Sequence, residues 1–193
     1  MLSGDQTMPN AQGMSRLDEF EQVALPHRRD LFRTASRLLG DRERAEDVLQ
    51  EVYLQAWKSY DRFEAGTNIR AWLYKILFNS VHHYRRKWFN SRMVKDGEEL
   101  LESVVASPEA VPESLTDKDI LAALERLPLE YKGVILLADV DEFSYKEIAQ
   151  VLEIPMGTVM SRLSRARRLL REQLVEVAAS YGIGRTMQKE QQA

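Results

Sequence analysis

Cysteine is absent from this 193-residue chain, and glycine and proline are sparse, with nine and six residues. The lack of cysteine excludes disulfides, thiolate zinc sites, iron–sulfur clusters and cysteine nucleophiles. Long hydrophobic runs are also missing, since Val134–Ala138 is far shorter than the roughly 20 residues that a membrane helix needs. The stretch Met1–Ser15 lacks the basic-then-apolar pattern of a signal peptide. These absences favour a globular, cytoplasmic protein with no membrane segment.

Charge is nearly balanced overall, at −3, but is segregated along the chain. Residues 16–92 hold 15 basic and 11 acidic side chains. Residues 93–115 hold one basic and six acidic side chains, and residues 116–181 hold nine basic and 11 acidic side chains. Two stretches carry cations and no acid, Tyr84–Arg92 and Pro155–Arg171. Two basic stretches flanking an acidic segment favour an elongated polyanion contacted at two places. Each stretch alone is equally well explained as a solvated helix face.

The spacing of apolar residues, mainly at three and four, predicts an all-α fold. Residues 93–115 contain two prolines and three serines among few large apolar residues, which is typical of a flexible linker. This acidic linker is expected to join two small helical domains, 16–92 and 116–181. The ends, 1–15 and 182–193, are expected to be disordered.

In the first domain, Asp41 is suited to cap a helix that runs to about Ser59. One side of this helix is apolar and is expected to pack inward: Ala45, Val48, Leu49, Val52 and Ala56. A second side is acidic with an apolar centre: Glu43, Asp47, Gln50, Glu51 and Leu54. This acidic face is either a solvated surface or a docking surface for a basic partner protein.

A second helix is expected over residues 69–89, after a short loop that contains Gly66. Its predicted core side consists of Ile69, Leu73, Ile76, Leu77, Ser80 and Tyr84. The opposite side interleaves aromatic and basic residues: Trp72, Lys75, Phe78, Asn79, His82 and Arg86. Cations neutralise phosphates and exposed aromatics stack on unpaired bases for about 1–3 kcal/mol each, so this side favours nucleic-acid binding. The alternative is that Trp72 and Phe78 pack against a neighbouring helix. A metal site at the adjacent His82 and His83 is not expected, because they point to different sides.

The second domain shows the pattern of a DNA-binding helix-turn-helix. Ser144-Tyr-Lys-Glu147 is a capping-box sequence that opens a short helix, residues 153–157 form the turn, and Thr158 can cap the next helix. That helix directs Val159, Leu163, Ala166 and Leu170 inward. The opposite side exposes Ser161, Ser164, Arg165 and Arg168, with Met160 at its flank. An ordinary helical hairpin with a basic face is the alternative.

Together these motifs resemble the bacterial extracytoplasmic-function (ECF) sigma factors of the sigma-70 family, over about residues 17–175. Asp47-Val-Leu-Gln-Glu51 with Ala56-Trp-Lys58 is similar to the family's core-polymerase-binding helix, and Gly66–Asn79 to its promoter-melting segment. Leu127-Pro128, Ser144–Ala149 and Pro155–Arg168 are similar to its last region. The Gly66-Thr-Asn68 stretch and the last segment most resemble the redox-stress subgroup.

The resemblance implies a sigma factor that directs transcription initiation in a stress response under anti-sigma control, with no catalytic residue, metal or cofactor. Its partners would be promoter DNA, an anti-sigma factor and the RNA polymerase core, at the clamp coiled coil and the flap. The residues implied to bind the core are Asp47, Gln50, Glu51 and Leu54. The loop Ala65–Asn68, with Gly66 and Thr67, is implied to capture a flipped base of the −10 element. The residues implied to melt the −10 element are Trp72, Lys75, Phe78, Asn79, His82 and Arg86. The residues implied to read the −35 element are Thr158, Met160, Ser161, Ser164, Arg165 and Arg168.

Two other classes of protein are alternatives to a sigma factor. A stand-alone helix-turn-helix repressor or activator would bind duplex DNA without polymerase, but it has no need for an exposed aromatic face that melts DNA. A helical enzyme is disfavoured because the sequence has no glycine-rich phosphate loop, no metal constellation and only three histidines.

Overall fold

The computed structural model describes residues 15–64, 66–95 and 117–180. Every regular element in these ranges is helical, which confirms the all-α prediction. The α-helices are α1 (Arg16–Ala24), α2 (Arg28–Leu39), α3 (Arg42–Ser59), α4 (Ile69–Lys95), α5 (Asp117–Glu125), α6 (Leu129–Ile135), α7 (Tyr145–Leu152) and α8 (Met156–Ser180). The chain divides into two compact units, with one division inside α4 between His82 and His83; the short segment Gln150–Leu152 groups with the first unit and the rest of α5 to α8 with the second.

Three shorter helical segments connect these helices. Leu25–His27 and Tyr60–Arg62 are 3₁₀ turns, and α6 continues into a π-helical segment, Leu136–Val140. The predicted linker begins at residue 93, but α4 extends through Lys95, so its first three residues are helical. The rest of the predicted linker and the terminal segments 1–14 and 182–193 lie outside the described residues. Ser15, predicted to be disordered, is instead the N-cap of α1.

Polar caps mark where three of the four α-helices of the first unit begin, namely α1, α3 and α4. Ser15 and Asp18 form a capping box at the start of α1. Asp41 accepts a hydrogen bond from the Arg44 amide at 3.1 Å, which confirms its predicted role as the cap of α3. The side chain of Asn68 accepts from the Ala71 amide at 3.1 Å in the first turn of α4. Each cap satisfies an amide that the helix itself leaves without a partner.

The core of the first unit is formed by inward faces of α1 to α4. All five residues predicted to face inward on α3 are buried. On α4, Leu73, Leu77 and Ser80 are buried as predicted, whereas Ile69, Ile76 and Tyr84 are half-buried. The buried side of α4 also includes residues that were not predicted as core: Tyr74, Phe78 and Val81.

The second unit packs α5 to α8 around a core in which Val134, Leu136 and Ile148 are fully buried. The capping box predicted at α7 is confirmed, since the Ser144 amide donates to Glu147 Oε2 at 2.9 Å and the Glu147 amide donates to Ser144 Oγ at 3.3 Å. The helix ends at Leu152, and the C-cap residue Glu153 adopts the left-handed conformation with φ of 55°. A turn then leads directly into α8.

The prediction that Thr158 caps α8 is wrong. The helix begins at Met156, and the carbonyl of Pro155 already accepts from the amides of Thr158 and Val159, at 2.9 and 3.1 Å. Proline has no amide that needs a partner and its φ is fixed near the helical value, so it is suited to the residue before a helix. Thr158 therefore lies within the first turn.

None of the helices in the described ranges is both long and apolar enough to span a membrane.

Candidate functional site

The acidic face of α3 is fully presented to solvent. Asp47, Gln50, Glu51 and Leu54 are all exposed, with 45% of the Leu54 surface accessible. The opposite side of the helix is anchored by Val48 and Val52, which are buried. The side chain of Gln55 donates to Glu51 at 2.7 Å, but neither Asp47 nor Glu51 forms an ion pair within the described part of the chain. The face can thus offer two carboxylates, one turn apart, and a leucine to a basic partner.

A groove of about 440 Å³ adjoins this face, between α1 and α3. Its lining is mixed: the apolar or aromatic residues Leu17, Phe20, Leu25, Leu49, Tyr53 and Trp57 are joined by Glu21, Arg28, Glu46 and Gln50. The hydroxyl of Tyr53 donates to the Ala24 carbonyl at 3.0 Å, and burial raises the pKa of Tyr53 to about 12, so this donor stays protonated at neutral pH. The groove was missed in the sequence because its lining comes from several elements; exposed Leu17 and Leu25 are its only local signal.

The loop before α4 is a structured turn. Gly66 has a φ of 89°, which favours glycine, and the Thr67 hydroxyl donates to the Glu64 carbonyl at 2.7 Å. Gly66, Thr67 and Asn68 are all exposed. Ala65, which the resemblance places in the same loop, lies outside the described residues. The turn therefore presents a short polar segment directly before the first residue of α4.

Five of the six residues predicted on the nucleic-acid side of α4 share one accessible stripe. Asn79, His82 and Arg86 are exposed, and Trp72 and Lys75 are half-buried. Their spacing of three and four residues places them on the same side of the helix. Trp72 packs against Phe63, in the loop that precedes the helix, with ring centroids 5.2 Å apart. The stripe combines an indole, a lysine, an amide, an imidazole and a guanidinium.

Phe78 does not belong to this stripe, and the prediction that it forms part of an exposed side is wrong. Only 4% of its surface is accessible. It follows Tyr74 by one helical turn and precedes Val81 by three residues, and both of these residues are fully buried. The buried sector of α4 is wider than the predicted apolar stripe, so Phe78 lies in the core.

The recognition face of the helix-turn-helix is arranged as predicted. Val159, Leu163 and Ala166 are buried on one side of α8 as predicted, whereas Leu170, which is also predicted to face inward, is half-buried. The opposite side is exposed and consists of Met160, Ser161, Ser164, Arg165 and Arg168. Thr158 is half-buried, and its carbonyl accepts from the Ser161 hydroxyl at 3.1 Å. A cleft of about 540 Å³ runs beside this face and is lined by Tyr145, Met160, Ser164 and Arg168, among others.

The arginines of α8 separate into two groups. Arg162 pairs with Glu130 at 3.0 Å, and Arg167 pairs with Asp139, so both tie α8 to α6 and to the segment that follows it. The hydrogen bonds to Asp139 raise the pKa of Arg167. Arg168 reaches only Glu172 on its own helix, at 3.9 Å, and Arg165 has no ion-pair partner among the described residues. Arg165 and Arg168, on the recognition face, and the exposed Arg171 are therefore more available to a ligand than Arg162 and Arg167.

Two family models match the chain. Sigma-70 region 2 matches residues 24–89, and Sigma-70, region 4 matches residues 117–170. These ranges contain the α3 face, the α4 stripe and the helix-turn-helix.

Two relatives and one solved structure extend the likeness along the chain. The ECF RNA polymerase sigma factor SigW of Bacillus subtilis is 30% identical over 174 residues, which is 81% of this chain and 89% of that protein. SigE of Mycolicibacterium smegmatis, also an ECF RNA polymerase sigma factor, is 29% identical over 83% of this chain, which spans 63% of that protein. The sigma factor RpoE of Bartonella quintana, solved with the anti-sigma factor NepR, has a TM-score of 0.71 and 34% identity over 81% of this chain and 97% of its own. These matches do not favour a stand-alone regulator, and the redox-stress subgroup stays a prediction.

Proposed function

The chain belongs to the extracytoplasmic-function sigma factors of the sigma-70 family and acts as an RNA polymerase sigma factor, and we propose how its surfaces divide that work. The observation that carries the proposal is the pairing of two different nucleic-acid surfaces in one chain. The α4 stripe offers aromatic and cationic groups suited to a single strand, and the recognition face of α8 is suited to duplex DNA. A protein that only binds duplex DNA needs the second surface but not the first.

The acidic face of α3 is proposed to bind the core enzyme at the clamp coiled coil of its largest subunit. Asp47 and Glu51 attract a basic helix of the partner, and Leu54 supplies an apolar contact to that same helix. Gln50 can donate and accept hydrogen bonds at the centre of the face. The same proposal includes a second contact, between the unit that contains the helix-turn-helix and the flap of the polymerase.

The loop and the α4 stripe are proposed to open the −10 element. Separating stacked base pairs costs about 1.4 kcal/mol per step on average. A base held by Gly66, Thr67 and Asn68 and another stacked on Trp72 can offset this cost at about 1–3 kcal/mol per stacked base. Lys75, Asn79, His82 and Arg86 then follow the sugar–phosphate backbone of the single strand.

The recognition face of α8 is proposed to read the −35 duplex. In a helix-turn-helix the N-terminal part of the second helix enters the major groove. Arg165 or Arg168 can hold a guanine through two hydrogen bonds, and Ser161 and Ser164 can contact bases or phosphates. Met160 offers apolar contact to a thymine methyl group. Thr158, in the first turn, is proposed to contact the DNA backbone at the edge of this face.

The remaining partners follow from the family. An anti-sigma factor is the proposed regulator, as the Bartonella quintana sigma factor is bound to one. Since catalysis belongs to the polymerase, we propose no catalytic role for this chain, and we place it in the cytoplasm with its polymerase and promoters. The acidic segment 93–115 is proposed to occupy the RNA-exit path.

Run-off transcription on a promoter library tests the proposal. Purified core polymerase is assayed with and without the chain, and transcripts that appear only with the chain are expected. Their start sites would define the −10 and −35 sequences. Duplex binding by the chain alone, with no transcript from a core preparation that supports another sigma factor, would favour the stand-alone regulator instead.

A further inference from the structure

Helix α1 is tied to the far end of α3 through Arg16. The guanidinium of Arg16 lies over the Trp57 ring, 4.3 Å from its centroid, and donates to the Trp57 carbonyl at 3.4 Å. It also pairs with Asp61 at 2.8 Å, in the 3₁₀ turn Tyr60–Arg62 that follows α3. Arg16 precedes residue 24, where the match to the region 2 model begins. A residue outside the matched region thus touches the segment that leads into the −10 loop.

A continuous row of aromatic rings extends from α1 to the α4 stripe. Phe20, 5% exposed, contacts Trp57 and Tyr60 at centroid distances of 5.3 and 5.2 Å. Tyr60 stacks on Phe63 at 6.1 Å, and Phe63 packs against Trp72 at 5.2 Å. The position of the Trp72 indole therefore depends on Phe63, and the position of Phe63 depends on the turn that Arg16 holds.

We propose that Arg16 is a positioning residue for promoter melting, holding the Tyr60–Arg62 turn so that Phe63 supports Trp72 at the −10 element. This inference rests on the melting role proposed above for Trp72. Arg16 itself faces Trp57 and Asp61, so its effect passes through the turn and not through contact with DNA.

The contacts of Arg16 are individually weak and act on one short turn. Asp61 is 73% exposed, and an ion pair at such a site contributes little alone. The same guanidinium also makes a cation–π contact and lies at the C-terminus of α3, where a positive charge is favoured. Removing all three contacts should lower the population of the competent turn without unfolding a unit whose core they do not enter.

The test compares Arg16→Ala and Arg16→Lys with Arg29→Ala in the full-length chain bound to core polymerase. Arg29 is an exposed arginine on α2 and controls for the loss of one positive charge. Strand opening is followed with permanganate on a duplex promoter taken from the run-off experiment. Initiation is measured in parallel on the same promoter with its −10 region already mismatched into a bubble. Affinity for core polymerase and the melting temperature of the free chain are measured for each variant.

We expect Arg16→Ala to open the duplex promoter about threefold to tenfold more slowly, the scale of one exposed ion pair plus one cation–π contact. Initiation from the bubble promoter and core affinity should stay within about twofold of wild type. Arg16→Lys should recover part of the opening rate, because lysine keeps the positive charge but lacks the planar guanidinium that stacks on Trp57. Unchanged opening by Arg16→Ala, or an equal loss on both promoters, overturns the inference. A wild-type chain that does not open the duplex contradicts the proposed melting function itself.

Discussion

Arg167 forms two parallel hydrogen bonds with Asp139. Its Nε and Nη2 groups donate to the two carboxylate oxygens, the first at 3.1 Å. This geometry is the fork that guanidinium and carboxylate groups prefer. Because of this pairing, Arg167 holds α8 against the segment after α6, although Arg167 lies in the same basic stretch of the sequence as Arg165. Proximity in the sequence therefore does not make the two arginines equivalent.

Arg165→Ala should weaken recognition of the −35 element by about 1–3 kcal/mol, the scale of one bidentate base contact. Arg165 is exposed on the recognition face and has no ion-pair partner among the described residues, so its loss should leave the melting temperature unchanged. The measurement is binding of the polymerase complex to a set of −35 variants. Unchanged discrimination among them would remove Arg165 from the reading surface.

The matched control for that variant is Arg167→Ala. This variant removes the same charge from the same helix, but it also breaks the ion pair between Arg167 and Asp139. Both side chains of that pair are about half exposed. We expect a small loss of stability, on the order of 1 kcal/mol or less, and retained discrimination among −35 sequences. If Arg167→Ala altered base preference as much as Arg165→Ala, net charge would explain both effects.

Reversing the charge of Asp47 and Glu51 together, to lysine, should lower the affinity for core polymerase by about tenfold or more, since like charges would then face a basic partner. Both carboxylates are exposed on α3, so the fold should tolerate the change. Pull-down of core subunits by the tagged chain, at increasing salt, measures the effect. Glu64→Lys controls for one charge reversal outside α3, and full association of the double variant would remove the docking role.

Trp72→Ala should slow open-complex formation about tenfold while leaving core affinity intact, because one stacked base is worth about 1–3 kcal/mol. Phe78→Leu is the contrasting variant, since Phe78 is buried and should affect stability rather than melting. Permanganate reactivity of the −10 region and core binding are measured for both. Equal losses of opening and of core binding in Trp72→Ala would contradict a melting role.

Local signals explain what could be predicted from the sequence. The apolar residues of α3 and its Asp41 cap lie within a few residues of one another in the sequence, and so do Ser144 and Glu147, which form the capping box of α7. The recognition face of α8 followed from the same periodicity. The prediction at Thr158 is wrong because two helix-start signals compete there, and Pro155, with its fixed φ, directly precedes the first helical residue, Met156.

Long-range pairing explains what could not be predicted. Arg16 and Asp61 are 45 residues apart, and Arg167 and Asp139 are 28 apart, so no periodicity relates them. Phe78 was assigned to the wrong side of α4 for a related reason. The width of the buried sector depends on how many neighbouring elements the helix contacts, and a helical wheel of α4 alone cannot identify those neighbours.

His27 predicts how stability depends on pH. Burial lowers the pKa of His27, Arg70 lowers it further and Asp30 partly opposes this. The unfolded chain therefore binds this proton more readily than the folded chain, so acid favours unfolding. Stability should fall as the pH drops below about 6.5, the unperturbed value, and level off below the folded pKa. Urea titrations from about pH 5.5 to 7.5 measure this, and His27→Gln should show a flatter profile. Identical profiles for the two chains would show that His27 is not the group responsible.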